Sequence, residues 1–223
     1  MGRRSSSKKT VKPSRYNGYR GQKAKQGKVG VTTLKIVSLA VLVAIMILLE
    51  VTGLGLIRTA GFEITLLLIP MLVGAIVLGP VSGAILGGVF GFISFWSGIS
   101  GTSPFGVILF GINPIYFFIL TFVTRVLVGL LCGLVFRGLR HVMSKGRIVP
   151  FAVAGMSAAI LNTVLFMLAL ILLFADFFSG MQGDVPLFPF LVGFVGLNGL
   201  IEAGVSIVVG TTISRAVYNF VNR

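Results

Sequence analysis

Four side chains able to make strong hydrogen bonds sit inside apolar runs. Arg125 lies in "FFILTFVTRVLVGLLCGLVF" (117–136), Asn162 in "AAILNTVLFMLAL" (158–170), and Asn198 and Glu202 in "VGLNGLIEAG" (195–204). A permanent cation in such a run costs about 2.5–3.5 kcal/mol on insertion scales, so something must offset it. Either Glu202 pairs with Arg125 and the asparagines bond neighbouring backbone, or the group binds a small molecule. Small-molecule sites are mostly apolar with a few convergent polar groups. Other chemistries lack their residues. With one cysteine (Cys132) and one histidine (His141, set among basic residues), the chain can build neither a disulfide nor a cysteine or histidine metal site. A histidine-activated nucleophile is disfavoured in the same way, and Glu202 has no acidic partner at its depth. No catalytic residue, metal or cofactor is expected.

The elements that carry these residues read as membrane-spanning helices. The chain of 223 residues is 56% hydrophobic and only 11% charged, whereas soluble domains carry roughly 25% charged residues. A span needs about 20 mostly apolar residues. Six segments qualify: 34–52, 63–79, 81–98, 114–137, 148–175 and 190–215. The expected fold is therefore an all-α integral membrane protein of six transmembrane helices. Gly79 and Pro80 should make a tight turn between spans two and three. Asn113 and Pro114 should cap and open span four.

Basic residues orient the bundle. Residues 1–35 hold 11 of the 19 Lys and Arg and no acid. Arg137, Arg140, Lys145 and Arg147 follow span four, and Arg215 and Arg223 close the chain. Under the positive-inside rule these ends are cytoplasmic, so both termini lie inside. Residues 1–31 read as a disordered basic tail that reinforces orientation or contacts anionic lipid, with no specific nucleic-acid partner, and 32–223 as the six-helix domain. The outer segments 53–62, 99–113 and 176–189 are long, and "SGISGTSPFG" (97–106) is flexible enough to close over an opening.

Depth and face then bring the polar groups together. Arg125 lies 11 residues below Pro114, and Glu202 lies 12 below Phe190, each about 17–18 Å along its helix. Asn162 is comparably deep, and Asn198, Glu202 and Ser206 form a stripe one turn apart. Arg125, Gly129 and Gly133 share a face, as do Gly83, Gly87 and Gly91, and small-residue faces pack against other helices. Phe95 and Trp96 are candidates for an apolar wall, although tryptophan also favours the membrane interface. Ala40 and Ala44 leave a flat strip on the first span.

Taken together with "LEVTGLG" (49–55), "LGPVSGAILGGVFG" (78–91), "TRVLVGLLCGLVF" (124–136), "LNTVLFMLALILLF" (161–174) and "NGLIEA" (198–203), these features resemble the substrate-binding S component of energy-coupling-factor vitamin transporters. The pantothenate-specific members are most similar, with Thr124 here where proline is expected, and the likeness covers about 33–216. The resemblance implies a non-enzymatic protein that captures a vitamin from outside. It would then dock on a transmembrane coupling subunit served by two cytoplasmic ATPases, in the plasma membrane of a bacterium. It also implies that Ala40 and Ala44 contact the coupling subunit, that Arg125 pairs with the carboxylate of pantothenate, and that Asn162 and Asn198 bond its hydroxyls or amide. Glu202 would accept a hydroxyl proton or orient Arg125. The chain has no phosphate-binding G-x-x-x-x-G-K-[ST] loop, so ATP would be hydrolysed elsewhere. An S component for riboflavin, folate, thiamine or pyridoxine, or a stand-alone secondary transporter, remains an alternative.

Overall fold

A computed structural model describes residues 16–59, 62–143, 148–183, 186, 189, 193, 196 and 203–221, with backbone alone for 16–32 and 56–64. Among the described residues, those up to Ser38 fall in one unit and those from Leu39 onward in another. The second unit carries the site.

Helix α1 runs Tyr16–Val51, so it begins inside the segment expected to be an unfolded tail. A hairpin of β1 (Leu56–Thr59) and β2 (Phe62–Thr65) follows, antiparallel, with Leu56 opposite Thr65 and Thr59 opposite Phe62. Then come α2 (Leu68–Val77), α3 (Pro80–Ile99), α4 (Pro104–Ile112) and α5 (Pro114–Phe118). A π turn (Ile119–Val123) joins α5 to α6 (Thr124–Val142), and α7 (Val149–Leu173) and α8 (Ala175–Gln182) succeed it. A second π turn (Ser206–Gly210) leads into α9 (Thr211–Val221).

Two expectations are corrected. The protein is nearly all helical, but its first outer segment is a β-hairpin. The span placed at 63–79 is a strand followed by a ten-residue helix, which is about 15 Å long and covers half the hydrocarbon thickness. Hydropathy alone does not separate a buried helix from a spanning one. Here Leu68 and Pro70 through Ile76 are all buried, so α2 is apolar all round because protein surrounds it. Among the described residues, four helical stretches are long and apolar enough to cross a membrane: Thr33–Val51, Pro80–Ile99, Pro114–Val142 and Val149–Leu173. The protein is thus a multi-span membrane protein. The expected sixth span falls largely outside the described residues.

The expected boundaries at 79–80 and 113–114 are found. Gly79, at φ 105°, precedes Pro80 at the first position of α3, a backbone conformation that favours glycine. The Asn113 side-chain oxygen accepts hydrogen bonds from the amides of Ile115 (3.0 Å) and Tyr116 (3.1 Å), satisfying donors that a helix start leaves open.

The closest helix pair is α3 against α6, antiparallel through glycines. A Cβ added to Gly83 would meet the carbonyl of Gly129, one on Gly87 the carbonyl of Arg125, one on Gly91 the backbone of Phe122, and one on Gly133 Pro80. Membrane helices gain little from apolar burial alone, so such close approach supplies their association. Helix α2 supplies Leu68, Met71, Leu72 and Ile76 to the main core, against Leu86 and Phe90 of α3, Val128 and Cys132 of α6, and Phe151, Ala154 and Ala158 of α7. A second apolar cluster gathers Leu109, Phe117, Leu120, Leu170, Phe174 and Phe178.

Candidate substrate-binding site

The π turn ends one residue before the α6 pair Thr124 and Arg125. It loosens the helical ladder at Leu120, whose carbonyl accepts both the Thr124 hydroxyl and Nη1 of Arg125 (3.4 Å). Nη1 also donates to the Thr124 hydroxyl at 3.2 Å. Threonine at this position therefore helps aim the arginine.

The guanidinium then reaches between two neighbouring helices. Its Cζ lies 5.2 Å from the ring centroid of Phe90 on α3 and 5.0 Å from that of Phe166 on α7. A desolvated cation–π contact contributes about 2 kcal/mol. Two of them match the roughly 2.5–3.5 kcal/mol cost of placing arginine in a membrane helix. The rings therefore contribute to holding this charge inside the bundle.

Asn162 is brought to the same level. The Cys132 thiol donates to the Ala154 carbonyl at 3.3 Å, and the rings of Phe136 and Phe151 lie 5.0 Å apart. These pairs set an antiparallel register between α6 and α7. Seven residues from Cys132 in one direction and seven from Ala154 in the other put Arg125 level with Leu161 and Asn162. Asn162 is 8% exposed, and Phe166 follows it by one helical turn. Asn198 and Glu202 lie outside the described residues.

Trp96 is not drawn in. It is 58% exposed and six residues past Phe90, about 240° around the helix. It shares the outward face of α3 with exposed Phe92 and Ile99. Phe95 instead joins an aromatic cluster with Phe110, Phe117 and Phe118, at centroid distances of 6.1, 5.6 and 5.2 Å. Phe90 and Phe166 were not anticipated from the sequence. The signals for them were an aromatic residue flanking the glycine face at Gly87 and Gly91, and another one turn beyond Asn162.

Above the arginine, the stretch expected to be a flexible closure (97–106) runs from the last turn of α3 into the first turn of helix α4. Ser103 caps it by accepting from the Gly106 amide at 3.2 Å. Phe105 of α4 packs against Phe166 and Phe177, with centroids 6.5 and 6.1 Å apart. Aromatic contacts thus run from α4 through Phe166 to Arg125.

A separate open groove of about 770 Å³ lies between α1, α3 and α6. Its lining, including Val43, Ile85, Val89 and Val126, is apolar throughout, so it offers nothing to a carboxylate, hydroxyl or amide. On α1, Met46 faces the core with no exposure, while Ala40 and Ala44 are exposed.

Comparison with known proteins bears on what such a bundle does. The family described as "ECF transporter, substrate-specific component" matches residues 34–214. The chain belongs to this family. Membership makes it a transport protein of the membrane rather than a member of an enzyme family. Similar proteins include a "Pantothenate transporter PanT" of Leuconostoc mesenteroides, 29% identical over 163 residues, covering 71% of this chain and 75% of that one. A "Pantothenic acid transporter PanT" of Lactococcus lactis subsp. cremoris is 28% identical over 189 residues, covering 80% and 90%. The resemblance read from the sequence motifs is thereby established at the level of the family.

Proposed function

We propose that this protein is the pantothenate-binding S component of an energy-coupling-factor transporter in a bacterial plasma membrane. The observation that carries the reading is Arg125, a cation between α3 and α7 at the level of Asn162. A guanidinium matches a carboxylate in a planar two-bond geometry. Pantothenate offers that carboxylate together with hydroxyl and amide groups, which suit Asn162 and, with Asn198 and Glu202, the polar stripe of the sixth span. Two relatives named as pantothenate transporters support the choice of vitamin.

In this reading the bundle crosses the membrane with both termini cytoplasmic and the short α2 packed inside it, and the basic residues 1–31 form a separate tail that meets anionic lipid. The vitamin enters from outside, and α4 acts as the lid. The exposed strip at Ala40 and Ala44 receives the coupling subunit, which two ATPases drive. Trp96, at the outer end of α3, anchors the bundle at the membrane interface rather than touching the vitamin.

The test is calorimetric titration of the purified protein. Wild type should bind pantothenate, and Arg125→Gln should weaken binding at least 100-fold while retaining a monodisperse fold. Undiminished affinity in Arg125→Gln would remove the carboxylate role. Mass spectrometry of the copurifying small molecule checks the vitamin, and recovery of riboflavin, folate, thiamine or pyridoxine would overturn pantothenate.

A further inference from the structure

We infer that Phe90 and Phe166 are positioning residues that set the preference of the site for an anionic ligand by holding the Arg125 guanidinium from both sides. The inference rests on the reading that Arg125 meets the carboxylate of the substrate.

The two rings come from different helices, α3 and α7, that flank α6. Each end of the clamp is fixed by its own surroundings. Phe90 is 1% exposed, and it neighbours the glycines whose close approach presses α3 onto the backbone of Arg125. Phe166 is held by Phe105 of α4 at 6.5 Å and sits one turn from Asn162. The clamp therefore exists only when three helices are assembled, and its second jaw touches the lid.

A ring face attracts a cation through its quadrupole and does not accept in-plane N–H groups as a carboxylate would. A guanidinium in contact with ring faces keeps its in-plane N–H groups available as charged hydrogen-bond donors. Aliphatic side chains of similar size would fill the same space but supply no negative face. The cation would then be less stable in place, and an arginine side chain is long enough to turn towards the interface instead. The rings thus favour the one rotamer that presents positive charge to the ligand.

The experiment titrates detergent-purified full-length protein with pantothenate and with its alcohol analogue, in which CH2OH replaces the carboxylate. Phe166→Leu should weaken pantothenate binding about tenfold, the scale of one desolvated cation–π contact. It should leave the alcohol analogue within twofold of wild type. Phe90→Leu should behave alike. Because Phe166 is only half-buried, its variant carries the test even where Phe90→Leu fails to fold. As a second measurement, mono-, di- and trifluorophenylalanine at position 166 reduce the ring's negative face at nearly constant size. Pantothenate affinity should fall stepwise along that series. Equal weakening of both ligands by Phe166→Leu, or a flat fluorination series, would show that the rings serve packing alone and would overturn the inference. Arg125→Gln separates this from the underlying reading. If Arg125→Gln loses pantothenate but the ring variants keep the anion preference, only the clamp fails. If Arg125→Gln binds pantothenate normally, the carboxylate assignment itself fails.

Discussion

Replacing Gly87 by alanine adds a single methyl group at a point where two helix backbones already touch. The new Cβ would stand 2.2 Å from the Arg125 carbonyl oxygen, 0.8 Å inside the 3.0 Å limit that real Cβ contacts respect. Both atoms belong to helix backbone, so neither can rotate away. Helices α3 and α6 must part by roughly 1 Å at this level, in an interior packed like a crystal. Overpacking costs about 1–3 kcal/mol, and a backbone clash belongs at the upper end. Alanine recovers about 1 kcal/mol of helix propensity, leaving about 2 kcal/mol of net destabilisation. At about 2–4 °C per kcal/mol for a chain of this size, the apparent melting temperature should fall by about 4–8 °C. The neighbouring Gly88 is the control. A Cβ there meets the Phe122 ring at 3.4 Å, an ordinary contact, so Gly88→Ala should keep the propensity gain and melt about 2–4 °C higher than wild type. The assay is loss of the monodisperse peak on size-exclusion chromatography after heating purified protein. Gly87→Ala should also weaken pantothenate binding, because it moves Phe90 away from the guanidinium. Equal stability of the two alanine variants would refute the close α3–α6 seam.

Three further perturbations probe other levels of the structure. Tyr218→Leu removes a ring that lies 5.0 Å from the Arg140 guanidinium and 5.8 and 5.5 Å from Phe136 and Phe151, together with the 3.2 Å hydrogen bond from Arg140. It should cost about 1–2 kcal/mol, read as a lower melting temperature with pantothenate affinity unchanged. Ala44→Leu changes an exposed position on α1, so stability and binding should stay within about 0.5 kcal/mol of wild type, while uptake by cells expressing the whole transporter should fail; normal uptake would remove the docking role of that strip. Phe105→Ala cuts the link between α4 and Phe166 and should speed pantothenate dissociation about three- to tenfold in stopped-flow measurements, the scale of one aromatic pair; an unchanged rate would show that α4 is no lid.

The parts of this architecture that were legible in the sequence are those with a local physical signature. Glycines at 83, 87 and 91 and at 129 and 133 announce a close helix pair because no other residue allows such approach. Asn113 followed by Pro114, and Gly79 followed by Pro80, mark helix boundaries through capping and backbone preference. What hydropathy could not supply was the distinction between spanning and merely buried. Leu68–Val77 is as apolar as a span, yet it is short and wrapped by other helices. The hairpin before it carries the β-branched Ile57, Thr59, Ile64 and Thr65, a strand preference split between an expected loop and the start of an expected span. The site was half legible. A half-buried arginine and a buried asparagine inside apolar runs call attention to themselves, because each polar group at depth needs a reason. Phe90 and Phe166 do not, since 19 phenylalanines offer no means of choosing between them until the register of α3, α6 and α7 is known.

That register also shows what helps to hold a guanidinium at depth, where an arginine in a membrane helix needs stabilising neighbours. Two ring faces at 5.2 and 5.0 Å supply stabilisation of the same order as the insertion cost. A carboxylate arriving from water then adds charge-assisted hydrogen bonds that the rings do not provide. The difference between the two states is therefore concentrated in the ligand's own negative charge. Affinity should accordingly follow that charge, and analogues that keep the hydroxyl and amide groups but lose the carboxylate should lose most of their binding.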